Sequence, residues 1–177
     1  MSILKVNQIQ TANGVIMANL NSSGANIGFQ LASTLAPAFS AYQSSAQTLS
    51  TSTTTKIQFQ TEEWDTASCF NNTGSTVGSI PAYAFLPNVA GYYQVTGGIQ
   101  VGTSATVMTM YLYKNGSAYK QLVSSNSATL SGGYGGALVY LNGSTDYIEF
   151  YVNLSTGQIL NAQSYYCYFQ AAMIRSA

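Results

Sequence analysis

The feature that most limits what this chain can fold into is a two-residue alternation, repeated in segments that stop at turn signals. In Gly91–Val101, Tyr93, Val95, Ile99 and Val101 fall on one face, and Tyr92, Gln94, Thr96 and Gln100 on the other. Thr106–Lys114 places Met108, Met110 and Leu112 opposite Thr109, Tyr111 and Tyr113, and Asn115-Gly116 then supplies a hairpin turn. Ala137–Leu141 runs into a second such turn at Asn142-Gly143. Asp146–Leu154 sets Ile148, Phe150, Val152 and Leu154 against Tyr147, Glu149 and Tyr151, and Ser164–Ile174 reads as the last strand. No segment combines a helical period with caps. Short strands between turn signals imply an all-β sandwich or barrel.

In several of these strands both faces are apolar or aromatic, whereas a two-sheet sandwich needs one such face. The second face calls for a cover, because large apolar patches are rare on free monomers. For Tyr166, Tyr168 and Ile174 in the last strand the expected cover is a sister subunit. Tyrosine suits that role, offering contact area at low entropy cost and a polar tip. Composition agrees: charged residues are 6% of the 177, and five Lys/Arg balance five Asp/Glu. A soluble monomer of ordinary composition carries about a quarter charged residues.

The same composition argues against several function classes. Phosphate binding needs clustered cations, and Lys5, Lys56, Lys114, Lys120 and Arg175 are scattered, so no nucleic-acid partner is expected. No apolar run approaches the roughly 18 residues of a membrane span, and the first ten residues lack the continuous apolar core of a secretory signal. The chain has no His, which removes the common general base and most zinc sites, so no enzyme and no cofactor are expected. Glu62, Glu63 and Asp65 could be read as paired acids or a hard-cation site, but a solvated turn before Cys69 accounts for them. Gly132–Gly136 lacks the Lys-Ser/Thr of a phosphate loop. It reads as a loop apex or a point of close approach between chains. Cys69 and Cys167 are expected as two buried thiols, a disulfide being the open alternative.

Residues 1–36 differ from the remainder. Two short alternating pieces, near Leu4-Lys5-Val6 and Val15-Ile16-Met17, flank Asn13-Gly14 and lead into a loop-like Asn/Ser/Gly stretch. Such a segment has too little apolar surface to fold alone. Leu4, Val6, Ile9 and Ile16 are therefore expected to anchor an extended arm to a host assembly, the bland alternative being a disordered tail. Residues 37–177 form the head.

The order of features in the head resembles the globular head of the first complement component and the wider tumour-necrosis-factor-like jelly roll. The features are Ala38-Phe39-Ser40-Ala41, Lys56-Ile57-Gln58-Phe59, Phe70-Asn71 before an Asn/Thr/Gly insertion, and Phe85-Leu86-Pro87 followed by Gly91-Tyr92-Tyr93. Leu112-Tyr113-Lys114-Asn115-Gly116, Val139–Gly143, Asp146-Tyr147-Ile148 and Tyr168-Phe169-Gln170-Ala171 complete it. The resemblance implies a jelly-roll β-sandwich that trimerises, with the closing aromatic strand near the three-fold axis. The chain lacks the acidic loop residues of the calcium-binding members, so the resemblance carries no calcium site here. The opening Ser-Ile-Leu-Lys-Val-Asn-Gln-Ile-Gln-Thr-Ala-Asn-Gly resembles the start of many tailed-phage virion proteins, in which a short arm docks to the particle.

Together these features lead to the expectation of a homotrimeric structural protein on the outer surface of a virion, assembled in the host cytoplasm and held to tail, baseplate or major capsid proteins. The head would act as a tail-fibre, receptor-binding module for a host glycan or protein. Its candidate loops are Asn71–Ser79, Ser124–Tyr134 and Ser155–Asn161, with Trp64, Asn72 and Tyr134 as candidate contacts. The alternative is a capsid decoration protein that stabilises the shell.

Overall fold

The protein was described from a computed structural model covering residues 8–10, 16–19 and 36–177, with the backbone alone at 8–10, 16–19, 103–106 and 127–130. The chain divides into two compact units, Met1–Leu35 and Ala36–Ala177. In the first, β1 (Gln8–Gln10) pairs antiparallel with β2 (Ile16–Asn19). Leu4 and Val6 lie outside the described residues, as do the side chains of Ile9 and Ile16.

The second unit is a two-layer β-sandwich. Its strands are β3 (Ala38–Tyr42), β4 (Thr48–Leu49), β5 (Thr55–Lys56), β6 (Thr61–Asp65), β7 (Gly91–Lys114), β8 (Ser117–Leu141), β9 (Ile148–Leu154), β10 (Gln158–Ile159) and β11 (Tyr168–Ser176). Strands β7 and β8 form one long antiparallel hairpin that passes from one layer into the other. Residues 91–98 of β7 lie between β8 and β11, whereas residues 108–114 lie between β8 and β9. One layer is thus β6-β3-β11-β7-β8 and the other β5-β9-β7-β8. Asn115 and Gly116 close the hairpin with φ of 54° and 75°, the left-handed pair that an Asn-Gly turn supplies.

The alternation read from the sequence sets the core. Tyr93, Val95, Ile99, Val101, Met108, Met110, Leu112, Ile148, Phe150, Val152 and Leu154 are all buried. Phenylalanines join the layers: Phe39 stacks on Phe70 and Phe85 at 4.5 and 4.7 Å and meets Phe169 edge-on at 5.0 Å. Phe169 reaches across to Phe150 at 5.6 Å. Gly97 makes this closeness possible, because a Cβ there would lie 2.4 Å from the Phe150 ring. Cys69 and Cys167 are buried free thiols, both raised by burial first of all.

Several boundaries differ from the sequence reading. The last strand is Tyr168–Ser176, and Tyr166 sits in the turn before it. Gly132–Gly136 is not a loop apex but lies inside β8, opposite residues 96–100 of β7. The close approach there is within the chain, since a Cβ on Gly136 would fall 2.7 Å from the Val95 carbonyl. Ser124–Tyr134 is likewise strand, held by pairing with β7 through the crossing between layers. Glu62, Glu63 and Asp65 form the edge strand β6, not a turn, and charges on an edge discourage unwanted strand pairing.

Strand direction gives the sandwich two distinct ends. Gly91 pairs with Leu141 and Ser176, and the Ala177 N–H donates to the Ala90 carbonyl at 3.0 Å. The Met173 N–H donates to the Pro37 carbonyl. The chain therefore enters the head at this proximal end. At the distal end Val101 bridges Leu160, and the Leu160 N–H donates to the Gln47 carbonyl.

Candidate functional site

With no metal-binding cluster of three or more His, Cys, Asp or Glu among the described residues, the candidate site is a surface. On the outer face of the β6-β3-β11-β7-β8 layer, register aligns side chains in rows. Tyr42, Tyr168, Gly98 and Tyr134 form the distal row. Ser40, Gln170, Thr96 and Gly136 form the next, and Ala38, Ala172, Gln94 and Leu138 the third. Tyr92 and Tyr140, with ring centroids 5.6 Å apart, end the face proximally. Ile174 joins them as the extra residue of a bulge, since Met173 and Arg175 oppose the adjacent Tyr93 and Tyr92. In phase with Tyr168, Gln170 and Ala172, Ile174 is 62% exposed, near Leu138 at 54%. Charge stands only at the margins, at Glu63 on β6 and Arg175 at the end of β11.

The polar row is closed on itself. The Ser40 hydroxyl donates to Glu63 Oε2 at 2.6 Å, and Gln170 Nε2 donates to the Ser40 oxygen at 2.9 Å. That leaves Tyr92, Leu138 and Ile174, with Tyr140 beside Tyr92, as a largely apolar platform, and Arg175, Ser176 and Ala177 complete the lining of its 510 Å³ hollow. A monomer that exposes a continuous patch of this kind has an interaction surface.

The opposite outer face is built differently. Tyr113 stacks on Tyr151 at 3.9 Å, and Tyr111 meets Tyr113 edge-on at 6.4 Å. Lys56 pairs with Glu149 and donates to the Ala82 carbonyl. Glu149, on the face opposite Ile148 and Phe150, is 3% exposed and paired with Lys56. Burial, and then the Glu149 charge with Tyr113 and Tyr147, pushes the Tyr151 hydroxyl up to about 12.

The proximal turns are tied by side chains. Asn142 Oδ1 accepts the N–H groups of Ser144, Thr145 and Asp146, and Asp146 accepts from Asn115 Nδ2, Lys114 Nζ and the Asn142 N–H. Burial alone would raise the Asp146 carboxyl, but these three donors outweigh it and hold it below its ordinary value.

The sequence candidates distribute unevenly over this structure. Tyr168 and Ile174 share this outer face, whereas Tyr166 lies in the turn before β11, bordering the same distal hollow as Tyr134 and Tyr168. Trp64 and Tyr134 are on strands β6 and β8, not in loops, and both are exposed. Asn72 is half-buried in a loop organised by its neighbour Asn71, whose amide donates to the carbonyls of Ser75, Ile80 and Pro81. Leu138, Tyr140 and Tyr92 were not among the candidates, although strand phase in Ala137–Leu141 puts Leu138 and Tyr140 on the face of Tyr134.

The layers and topology define a tumour-necrosis-factor-like jelly roll. Murine APRIL superposes with a TM-score of 0.57 at 11% identity over 78% of this chain and 99% of APRIL. Eiger, the TNF of S. frugiperda, gives 0.55 at 13% identity over 81% and 94%. The phage PRD1 vertex protein P5 gives 0.55 at 17% identity over 78% and 97%. At these identities the likeness is one of fold. No family model matches the sequence, and no curated protein does.

Proposed function

We propose that this chain is a non-enzymatic structural protein of a virion, a homotrimer whose head serves as a tail-fibre, receptor-binding module. The observation that carries the trimer is the nearly uncharged outer face of the β6-β3-β11-β7-β8 layer, with Tyr92, Leu138, Tyr140 and Ile174 exposed in one patch. A sister subunit on that face removes the patch from water, and three subunits close the arrangement. The virion setting is supported by the fold shared with the PRD1 vertex protein and by the phage-like opening residues. Leu4, Val6, Ile9 and Ile16 of the arm hold the protein to its particle in this reading. The head presents its distal end, because the chain enters at the proximal one. Three weak receptor contacts on one trimer then gain by avidity.

Capsid decoration is the second reading, and the vertex-protein likeness favours it. Electron microscopy of intact particles labelled with an antibody to this chain separates the two. Label at the tail tip supports the receptor-binding head; label over the shell supports decoration; unlabelled particles overturn the virion assignment.

A further inference from the structure

The outer face of the β6-β3-β11-β7-β8 layer is not level. Its β7-β8 side stands high, with Tyr92, Tyr134, Leu138 and Tyr140 all exposed. Its β3-β11 side is low, because the outward residues there include Ala38, Ser40 and Ala172. On that low side lies a hollow of 210 Å³, lined by Trp64, Gln94, Thr96, Gln170 and Ala172. Trp64, on the edge strand β6, is 47% exposed.

The hollow suits an apolar occupant. None of its lining side chains is charged, so an ionic group would enter without a counter-charge. Its polar side chains are already engaged within the chain. Gln94 Nε2 donates to the Val95 carbonyl at 3.4 Å, Thr96 Oγ1 to Gln170 Oε1 at 3.5 Å, and Gln170 Nε2 to the Ser40 oxygen. A polar ligand gains little there, whereas an apolar side chain covers the Trp64 ring and the Ala172 methyl with no hydrogen bond to replace.

Leu138 has the complementary need. It is 54% exposed and stands in the row of Ala38, Ala172 and Gln94. Within one chain it cannot reach Trp64, since β8 and β6 are the two edges of the layer. Four inter-strand spacings separate them, about 19 Å. A second copy can bring it there. In the homotrimer proposed above, the chain enters every head at its proximal end and one particle holds all three, so the three-fold axis runs along the strands. Rotation about such an axis leaves every residue at its own height, and each row meets its own row in the next copy. Contacts in a three-fold ring are head-to-tail and join two different patches. The high and low sides of this face are such a pair.

We propose that Leu138 of each copy seats in the hollow beside Trp64 of the next, so that the high side of one face closes the low side of its neighbour around the ring. The inference rests on the trimer reading and names its contact. Trp64, a candidate receptor contact in the sequence, is then an assembly residue.

Trp64 is the single tryptophan of the chain, so its fluorescence reports the contact. The test uses the full-length chain, with the Leu138→Asp, Ile174→Asp variant as the unassembled reference and native mass spectrometry to follow mass. On assembly, Trp64 emission is expected to move to shorter wavelength and acrylamide quenching to weaken several-fold. Leu138→Ala and Ala172→Leu are each expected to raise the dissociation constant about tenfold or more. Both positions are exposed in the head, so neither change disturbs its core. Combined, they move bulk from the knob to the hollow and should recover most of the loss. A trimer whose Trp64 is quenched as readily as in the reference overturns the proposal and leaves the trimer reading standing. Losses that simply add in the double variant do the same. A dimer in which the double variant recovers keeps the contact and removes the three-fold reading. A monomer at every concentration removes both.

Discussion

The two outer faces of the sandwich are made from similar residues and reach opposite outcomes. On the β5-β9-β7-β8 face, Tyr111, Tyr113 and Tyr151 contact one another, and Lys56 and Glu149 neutralise one another. On the β6-β3-β11-β7-β8 face, Tyr92 and Tyr140 meet at 5.6 Å, but Tyr134, Leu138 and Ile174 remain 81%, 54% and 62% exposed. The first face is satisfied within one subunit; the second is the one that the proposed trimer covers. Tyrosine content alone therefore says little about assembly. What matters is whether register and bulges bring each ring onto another ring of the same chain. The bulge at Ile174 leaves that exposed apolar side chain with no residue opposite it on β7.

The comparison breaks most completely if the second face is given charge. Ile174→Asp together with Leu138→Asp is expected to abolish assembly, since each carboxylate would be buried unpaired at the interface. Sedimentation should show a monomer, and unchanged trimer mass would remove the interface assignment. Next in size is the first face, where Lys56→Met strands the buried Glu149 carboxylate. A loss of about 3 kcal/mol in urea unfolding is expected, with most of it recovered in the Lys56→Met, Glu149→Leu double variant and the oligomer retained. Gly97→Ala tests the core between the faces. Its Cβ would collide with Phe150, and such overpacking costs about 1–3 kcal/mol while leaving both outer faces intact. The smallest effect is that of acid on the proximal turns. The folded Asp146 carboxyl lies below its ordinary value of 3.8. Its stabilisation is therefore fully present above that pH and is lost as pH falls through the lower folded value. Asp146→Asn should flatten the stability profile below about pH 4, and a profile identical to that of the unaltered chain would contradict the role given to Lys114 and Asn115.

The fold was legible where periodicity was strong. Tyr93 to Val101, Met108 to Leu112 and Ile148 to Leu154 are buried as their alternation requires, and Asn115-Gly116 turns the chain as its residue types demand. What the sequence concealed depends on contacts far apart in the chain. Glycines at 132–136 look like a loop, yet they serve where β8 meets Val95 and Ile99 of β7, and that need appears only once the strands are paired. Burial of Glu149 depends on Lys56, 93 residues earlier. The candidate face was half visible: Tyr168 and Ile174 were in phase, while Tyr92, Leu138 and Tyr140 belong to it only through the registers of β7, β8 and β11.

The measurement that tests the central claim most directly is native mass spectrometry of the unaltered full-length chain across a dilution series. A chain of 18.8 kDa whose outer face needs a sister subunit should appear as a species of three times that mass, persisting to low micromolar concentration. A monomer at every concentration would show that the apolar face is left uncovered, and would contradict the account.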